Sequence, residues 1–322
     1  MSLSVAIQMD PISGIDIRGD SSFALGLEAQ QRGHQLWCYT PDTLTLAEGE
    51  VQATGHIVTL RDELGNHYVA GQMEQRQLTD FDIILMRQDP PFDMAYITAT
   101  HILEMLPAST MVINNPAEVR NAPEKLLVMH YPELIPATLI SRNPAAISDF
   151  RSRHEDIIVK PLFGNGGAGV FRLKPSDQNL NSLLEMFFAK SREPVMVQAY
   201  IPAVRDGDKR IILVNGAAVG AVNRIPKEGE ARSNFHAGGT AEATKMTARD
   251  REICEAIGPE LRSRGLLFVG IDIIGDYLTE INVTSPTGIR EVETLFGLNI
   301  ATLTWDAIEK NRLAYSTNGI MR

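Results

Sequence analysis

Cysteine is nearly missing from this chain: Cys38 and Cys254 are the only two in 322 residues, and they form neither a C-x-x-C pair nor a metal-ligand spacing. A disulfide framework and a thiolate zinc site are thereby excluded, and the usage suits a reducing cytosol, so a cytoplasmic location is expected. Long apolar runs are missing too. No stretch approaches the ~20 residues of a membrane span, and the first ten residues, M-S-L-S-V-A-I-Q-M-D, carry neither a charged n-region nor an apolar core. No membrane partner and no signal peptide are expected. Basic charge is in deficit: 30 Lys and Arg stand against 40 Asp and Glu, a net charge of −10. That argues against a nucleic-acid partner, although a basic pocket could still hide inside. The Asp10–Asp20 loop after the first strand is not G-x-G-x-x-G, no Walker A sequence is present, and there is no internal repeat or low-complexity segment.

What is present is an ordinary globular composition, 44% hydrophobic and 22% charged, long enough for two or three subdomains. The start reads as one βαβ unit: a strand over Leu3–Met9, a helix capped by Asp20 or Ser21 and stopped near Gly33, and a strand over His34–Tyr39. Open α/β sheets place ligands at the carboxyl ends of strands. The loop after the first strand therefore offers Asp10, Ser13, Asp16 and Arg18 as substrate candidates, each of which could equally be solvated polarity. Arg87 follows the apolar run Phe81–Met86 and reads either as a carboxylate binder or as half of a structural ion pair.

The middle of the chain carries a strand, Ile157–Pro161, ending in Lys160-Pro161. It is followed by Gly164-Asn165-Gly166-Gly167-Ala168-Gly169. Glycines let backbone N–H groups approach anionic oxygens, and the lysine adds a point charge, so phosphate binding is favoured over a plain hairpin tip. Asn215-Gly216 marks a hairpin whose two strands carry Arg210 and Arg224, two guanidiniums suited to neutralising a transferring phosphoryl group. Pro226–Thr240 lacks periodicity and reads as a lid.

The stretch Val269–Arg290 holds two β-branched runs around Gly275-Asp276-Tyr277. Glu280 and Asn282 share one strand face. Asp272 joins them if the loop has three residues and faces away if it has two, because a one-residue slip flips every side chain. Converging, they would form a hard-oxygen site suited to Mg²⁺; otherwise the stretch is an antiparallel edge with a polar face.

Taken in order, a lysine at a helix start (Lys125), Lys160 before the glycine loop, Gln198-Ala199-Tyr200-Ile201, Asp208-x-Arg210 and Asp272…Glu280-x-Asn282 resemble the ATP-grasp superfamily of carboxylate–amine ligases. The segments M-D-P-I (9–12), D-S-S-F-A (20–24), L-M-R-Q-D-P-P-F-D (85–93), D-G-D-K-R (206–210) and L-T-E-I-N-V-T-S-P-T (278–287) resemble bacterial glutathione synthetases over nearly the whole chain. The resemblance implies an α/β (α+β) ATP-grasp fold. Its parts would be an N-terminal parallel α/β substrate domain (1–122), a central lid subdomain (123–200) and a C-terminal antiparallel catalytic subdomain (201–322). It implies ATP-dependent joining of γ-glutamylcysteine to glycine, or, as the alternative, a ligase of the same superfamily with another acyl donor.

Under that resemblance Lys125, Lys160 and the loop glycines Gly164, Gly166 and Gly167 would contact ATP phosphates. Gln198, Ala199, Tyr200 and Ile201 would hold adenine, and Asp208 the ribose. Asp272, Glu280 and Asn282 would hold Mg²⁺, with Mn²⁺ as a substitute. Arg87 would serve the γ-glutamylcysteine end and Ser285 and Thr287 the glycine end, with Ser13 and Asn282 as further substrate candidates. Arg210, Arg224 and Arg290 would stabilise the reacting groups. The family is commonly oligomeric, so a homo-oligomer is expected. Departures are Ser233, Phe235 and His236 in the lid, Thr240 where Arg is common, and Gly288 where Cys is common.

Overall fold

A computed structural model describes residues 2–227 and 239–319, with side chains described as far as Leu313. The expected lid, with Ser233, Phe235 and His236, falls almost wholly on residues 228–238, outside the described residues.

The first sheet contains β1 (Ser4–Gln8), β2 (Gln35–Tyr39), β3 (Thr45–Ala47), β4 (Glu50–Leu60), β5 (Tyr68–Ala70), β6 (Glu74–Gln77), β7 (Ile83–Met86) and β8 (Met111–Ile113). Its path is β3-β4-β2-β1-β7-β8, with β5 and β6 also paired to β4. The β2-β1-β7-β8 part is parallel, whereas β4 adds antiparallel to β2. The N-terminal unit is therefore a mixed sheet rather than a purely parallel one. Crossover helices α1 (Ser21–Gln31) and α2 (Met94–Glu104) begin at Asp20 and Asp93, whose carboxylates accept from the backbone N–H groups of Phe23 and Tyr96. Two short helices, α3 (Pro116–Arg120) and α4 (Glu124–Leu127), lead out of the sheet.

The second sheet is antiparallel, in the order β11 (Phe171–Leu173), β10 (Ile157–Pro161), β12 (Val195–Ala199), β9 (Thr138–Ser141). Helices α5 (Pro144–His154) and α6 (Leu180–Lys190) cover one face and close a separate core around Ile147, Phe150, Val159 and Leu184. The third sheet is antiparallel as well, in the order β15 (Thr240–Ala243), β14 (Ala217–Ile225), β13 (Asp208–Val214), β16 (Phe268–Ile274), β17 (Tyr277–Asn282). Helix α7 (Ala248–Ser263) starts in a capping box made by Thr247 and Asp250. Helices α8 (Ile289–Phe296) and α9 (Ile300–Gly319) end the described chain.

The first and third units share their packing. One core joins Val5, Ile7 and Leu25 to Ile212, Val292, Trp305 and Ile308. The Trp305 indole N–H donates to Leu25 O at 2.8 Å, and Arg32 at the end of α1 pairs with Asp306 and Glu309 of α9. The central unit has a core of its own on its helix-covered face, while Leu162 and Met196 join a core shared with the other two units.

Candidate active site

Register builds one end of the site. On the third sheet Asp208 lies opposite Arg224, Arg210 opposite Asp272, and Asp272 opposite Glu280. Directly opposed residues share a face, so these five side chains project together. The β16–β17 turn has only two residues, Gly275 and Asp276, because Ile274 pairs with Tyr277. A bulge restores the phase: Ile273 pairs with Leu278 while Asp272 still faces Glu280, leaving Thr279 as the extra residue. The Thr279 hydroxyl donates to Asp272 O at 3.1 Å. Gly270 makes room on the same face, since a Cβ there would lie 3.2 Å from the Arg210 side chain and 3.0 Å from Pro286.

Arg210 grips Asp272 with two donors, Nε to Oδ1 at 2.5 Å and Nη2 to Oδ2 at 3.0 Å. Arg224 Nη2 reaches Asp208 Oδ2 at 2.6 Å and Asp272 Oδ2 at 3.0 Å. Burial alone would raise the Asp272 pKa, but the Arg210 and Arg224 guanidiniums overcome it and hold the carboxyl far below the usual range. Lys209, one position out of phase, points to the opposite face and pairs with Asp250.

The other end is assembled from distant segments. Lys125 arrives on α4, Lys160 at the end of β10 and Glu280 on β17; the two ammonium groups lie 3.4 and 3.5 Å from Glu280 Oε1. Burial pushes the Glu280 pKa up, yet the two lysines bring it below its ordinary value. Burial lowers the Lys160 pKa, and Glu280 offsets only part of that. For Lys125 the Glu280 and Glu124 charges outweigh burial and its pKa is raised. Glu124 has its own pKa pushed up to about 7 by burial and by the Glu280 charge.

Between the second and third sheets runs a cavity of about 400 Å³. It is lined by Lys125, Lys160, Gly164, Gly166, Gly167, Gln198, Ala199, Tyr200, Ile201, Asp208, Arg210, Arg224, Asp272, Glu280, Asn282, Ser285 and Thr287. Gly166, Gly167 and Gly169 have φ of 59°, 77° and 72°, left-handed values that glycine adopts without strain, so this loop needs its glycines to turn over the cleft. Ile158, Val204 and Ile274 form an apolar stretch of wall near Tyr200 and Ile201, a surface suited to a planar base. Arg172 stacks 3.5 Å over the Tyr200 ring and is held by Asp156, which braces that wall from behind.

The donor set fits a hard divalent cation. Asp272, Glu280 and Asn282 reach one cleft, and Asn282 Nδ2 lies 3.5 Å from Asp272 Oδ2. Among the described residues no three His, Cys, Asp or Glu side chains converge, so a cation here would draw on two carboxylates, the Asn282 amide oxygen and non-protein oxygens.

Three expected residues are not in the cleft wall. Ser13 is exposed in a short turn, and Asp16 and Arg18 beside it pair with each other in solvent. Arg87 is buried behind the site. It donates from Nε to Ser22 Oγ and from Nη2 to Pro286 O, both at 3.0 Å, and its own carbonyl accepts from Ser285 Oγ. It braces the run that carries Ser285 and Thr287. Arg290 is turned by α8 towards Asp62 (2.8 Å) and Glu293 (3.2 Å), at a second cavity bordered by α1. Its position as the second residue of α8, rather than on the sheet, directs it to Asp62 and Glu293.

Sequence reasoning passed over Glu124, Asp89, Ile158 and Ile274, all of which line the cleft. Strand alternation carried the signal for two of them: Ile158 is two residues from Lys160 on β10, and Ile274 two from Asp272 on β16.

Two family models match the chain: prokaryotic glutathione synthetase, N-terminal domain, over residues 3–120, and prokaryotic glutathione synthetase, ATP-grasp domain, over residues 124–297. The chain is 57% identical over 312 residues to a glutathione synthetase of Brucella melitensis, covering 97% of this chain and 100% of that one. It is 44% identical over 319 residues to one of Synechococcus elongatus, covering 95% and 98%. Among solved structures, D-cycloserine synthetase DcsG superposes with a TM-score of 0.68 at 14% identity, covering 96% of this chain and 99% of that one. The ATP-grasp ligase PsnB, complexed with a minimal precursor, Mg and ADP, superposes at 0.60 and 17% identity, covering 98% of each chain. At such identities the likeness is one of fold, and the fold is ATP-grasp.

Proposed function

The chain belongs to the prokaryotic glutathione synthetase family, and from that premise we propose that it joins γ-L-glutamyl-L-cysteine to glycine, with ATP converted to ADP and phosphate. The observation that carries this reading is one cleft in which Arg210, Arg224, Lys125 and Lys160 surround Asp272 and Glu280. Such a site offers positioning and charge rather than a covalent nucleophile, which is what phosphoryl transfer to a carboxylate requires.

In the proposed sequence the cysteinyl carboxylate attacks the γ-phosphorus of ATP and ADP leaves. The glycine amine then attacks the acyl phosphate carbonyl and phosphate leaves. Lys125, Lys160 and the glycine loop hold the phosphates, while Gln198 to Ile201 hold adenine and Asp208 the ribose. Arg210 and Arg224, which hold Asp272, would stabilise the transferring phosphoryl group. Ser285 and Thr287, braced by Arg87, face the acceptor amino acid. Asp272, Glu280 and Asn282 would hold Mg²⁺, with Mn²⁺ able to replace it, and the ion would draw charge from the phosphate oxygens. The reading further takes the three subdomains as 1–122, 123–200 and 201–322, the assembly as a homo-oligomer and the location as cytoplasmic. No described helix is long and apolar enough to cross a membrane.

A panel of acyl donors and amines, read by ADP release, tests the assignment. ADP should form with γ-glutamylcysteine and glycine together and at background level when either is left out. Release with a different donor would identify another ligase of the superfamily, and no release with any pair would reject the enzyme reading.

A further inference from the structure

Glu124 lines the cleft yet has no task in the reaction outlined above. Its side chain is 17% exposed, and it also borders a small side cavity with Phe92, Phe163, Asn165 and Thr284. Its carboxylate accepts a hydrogen bond from the Lys125 ammonium. An ammonium group has three donors. The others of Lys125 go to Gly164 O at 2.6 Å, in the glycine loop, and towards Glu280 Oε1 at 3.4 Å. Lys160, the second lysine of the cleft, has no such neighbour: Glu280 at 3.5 Å is its ion-pair partner among the described residues.

The two lysines are thus held differently. A lysine side chain is a flexible stem carrying a point charge, and its ammonium is well placed only if something fixes it. We propose that Glu124 is a positioning residue that acts through Lys125, fixing one donor so that the other two are presented to nucleotide phosphates and, without nucleotide, to the Gly164 carbonyl. Phosphate oxygens entering the cleft would displace Gly164 O and release the glycine loop from the lysine, while Glu124 keeps the ammonium against the wall. The inference rests on the reading of this cleft as a nucleotide site. It gives Glu124 no place among the metal ligands.

A double-mutant cycle on ADP affinity, measured in EDTA with the full chain, tests it. Glu124→Ala and Lys125→Ala should each weaken ADP binding about tenfold, the scale of a lost hydrogen bond to a charged group. The double variant should bind within about twofold of Lys125→Ala, since Glu124 acts only through that lysine. Glu124→Gln, which keeps an oxygen acceptor, should recover part of the loss, and it runs the same cycle if the alanine variant fails to fold. Additive losses, an unchanged affinity in Glu124→Ala, or a loss seen only when Mg²⁺ is added would overturn the proposal. Failure of the unaltered protein to bind ADP would instead reject the nucleotide site itself.

Discussion

At one end of the cleft, Arg210, Arg224 and Asp272 come from three neighbouring strands of a single sheet; at the other, Lys125, Lys160 and Glu280 come from a short helix and two different sheets. The first group is fixed by backbone register and stays together as long as β13, β14 and β16 pair. The second is assembled by tertiary packing, which brings Lys160 of the central unit to Lys125 on α4 and Glu280 on β17. Charge is balanced at both ends, but only the lysine end is put together from more than one sheet. A ligand that binds between the two sheets meets one wall set by strand register and one set by tertiary packing.

The largest effect should come from the rigid end. Asp272→Ala leaves Arg210 and Arg224 without the carboxylate they share in a site where Asp272 is 2% exposed. Removing one partner from a buried pair costs about 3–5 kcal/mol, so denaturant unfolding should show a loss of that size together with the loss of turnover. Full stability in this variant would show that the two ends are not different in kind. Glu280→Ala should separate the readouts. Turnover should fall roughly a hundredfold or more, the scale of losing one group that organises a transferring phosphoryl. Stability should fall less than in Asp272→Ala, because Lys125 keeps Glu124 and Gly164 O as partners and Lys160, left without Glu280, can shed the proton that burial already loosens. Near-normal turnover at low Mg²⁺ would remove Glu280 from the metal site.

A pH series sharpens the same contrast. The Glu124 carboxyl is pushed up to about 7, so the folded protein holds that proton more tightly than the unfolded chain, where a Glu titrates near ~4.3. The stability this contributes is complete below the unfolded value and is lost as pH rises through about 7. In nucleotide-free protein with chelator, Glu124→Gln should lose less unfolding free energy between these limits than the unaltered chain. Equal slopes would place the titration elsewhere. The smallest effect belongs to Arg290→Ala, which removes pairs to the half-exposed Asp62 and to Glu293 outside the cleft. Turnover within about threefold and a stability change under about 1 kcal/mol are expected. A hundredfold loss of turnover would return Arg290 to the reacting groups.

What could be read from the sequence follows the same division. Alternation along strands puts Glu280 and Asn282 on one face, and the Asn215-Gly216 turn fixes the β13–β14 hairpin that carries Arg210 and Arg224. These are local rules with a period of two. The loop length at Gly275 could not decide the position of Asp272, because a bulge at Thr279 does what a third loop residue would have done. Hidden for a different reason were Glu124, whose role depends on a loop 40 residues later, and Arg87, whose partners Ser22 and Pro286 are distant in sequence. The antiparallel strands β4, β5 and β6 are polar and strand-like in sequence, and nothing local to them says which edge they join. Arg290 lies three residues beyond Thr287 in sequence, and the helix that begins at Ile289 turns its guanidinium to Asp62.

The most direct test follows an oxygen atom. If the cleft transfers the ATP γ-phosphoryl group to the cysteinyl carboxylate, γ-glutamylcysteine labelled with ¹⁸O in that carboxylate should pass one labelled oxygen into each phosphate released with glutathione. Unlabelled phosphate formed alongside glutathione would contradict the account.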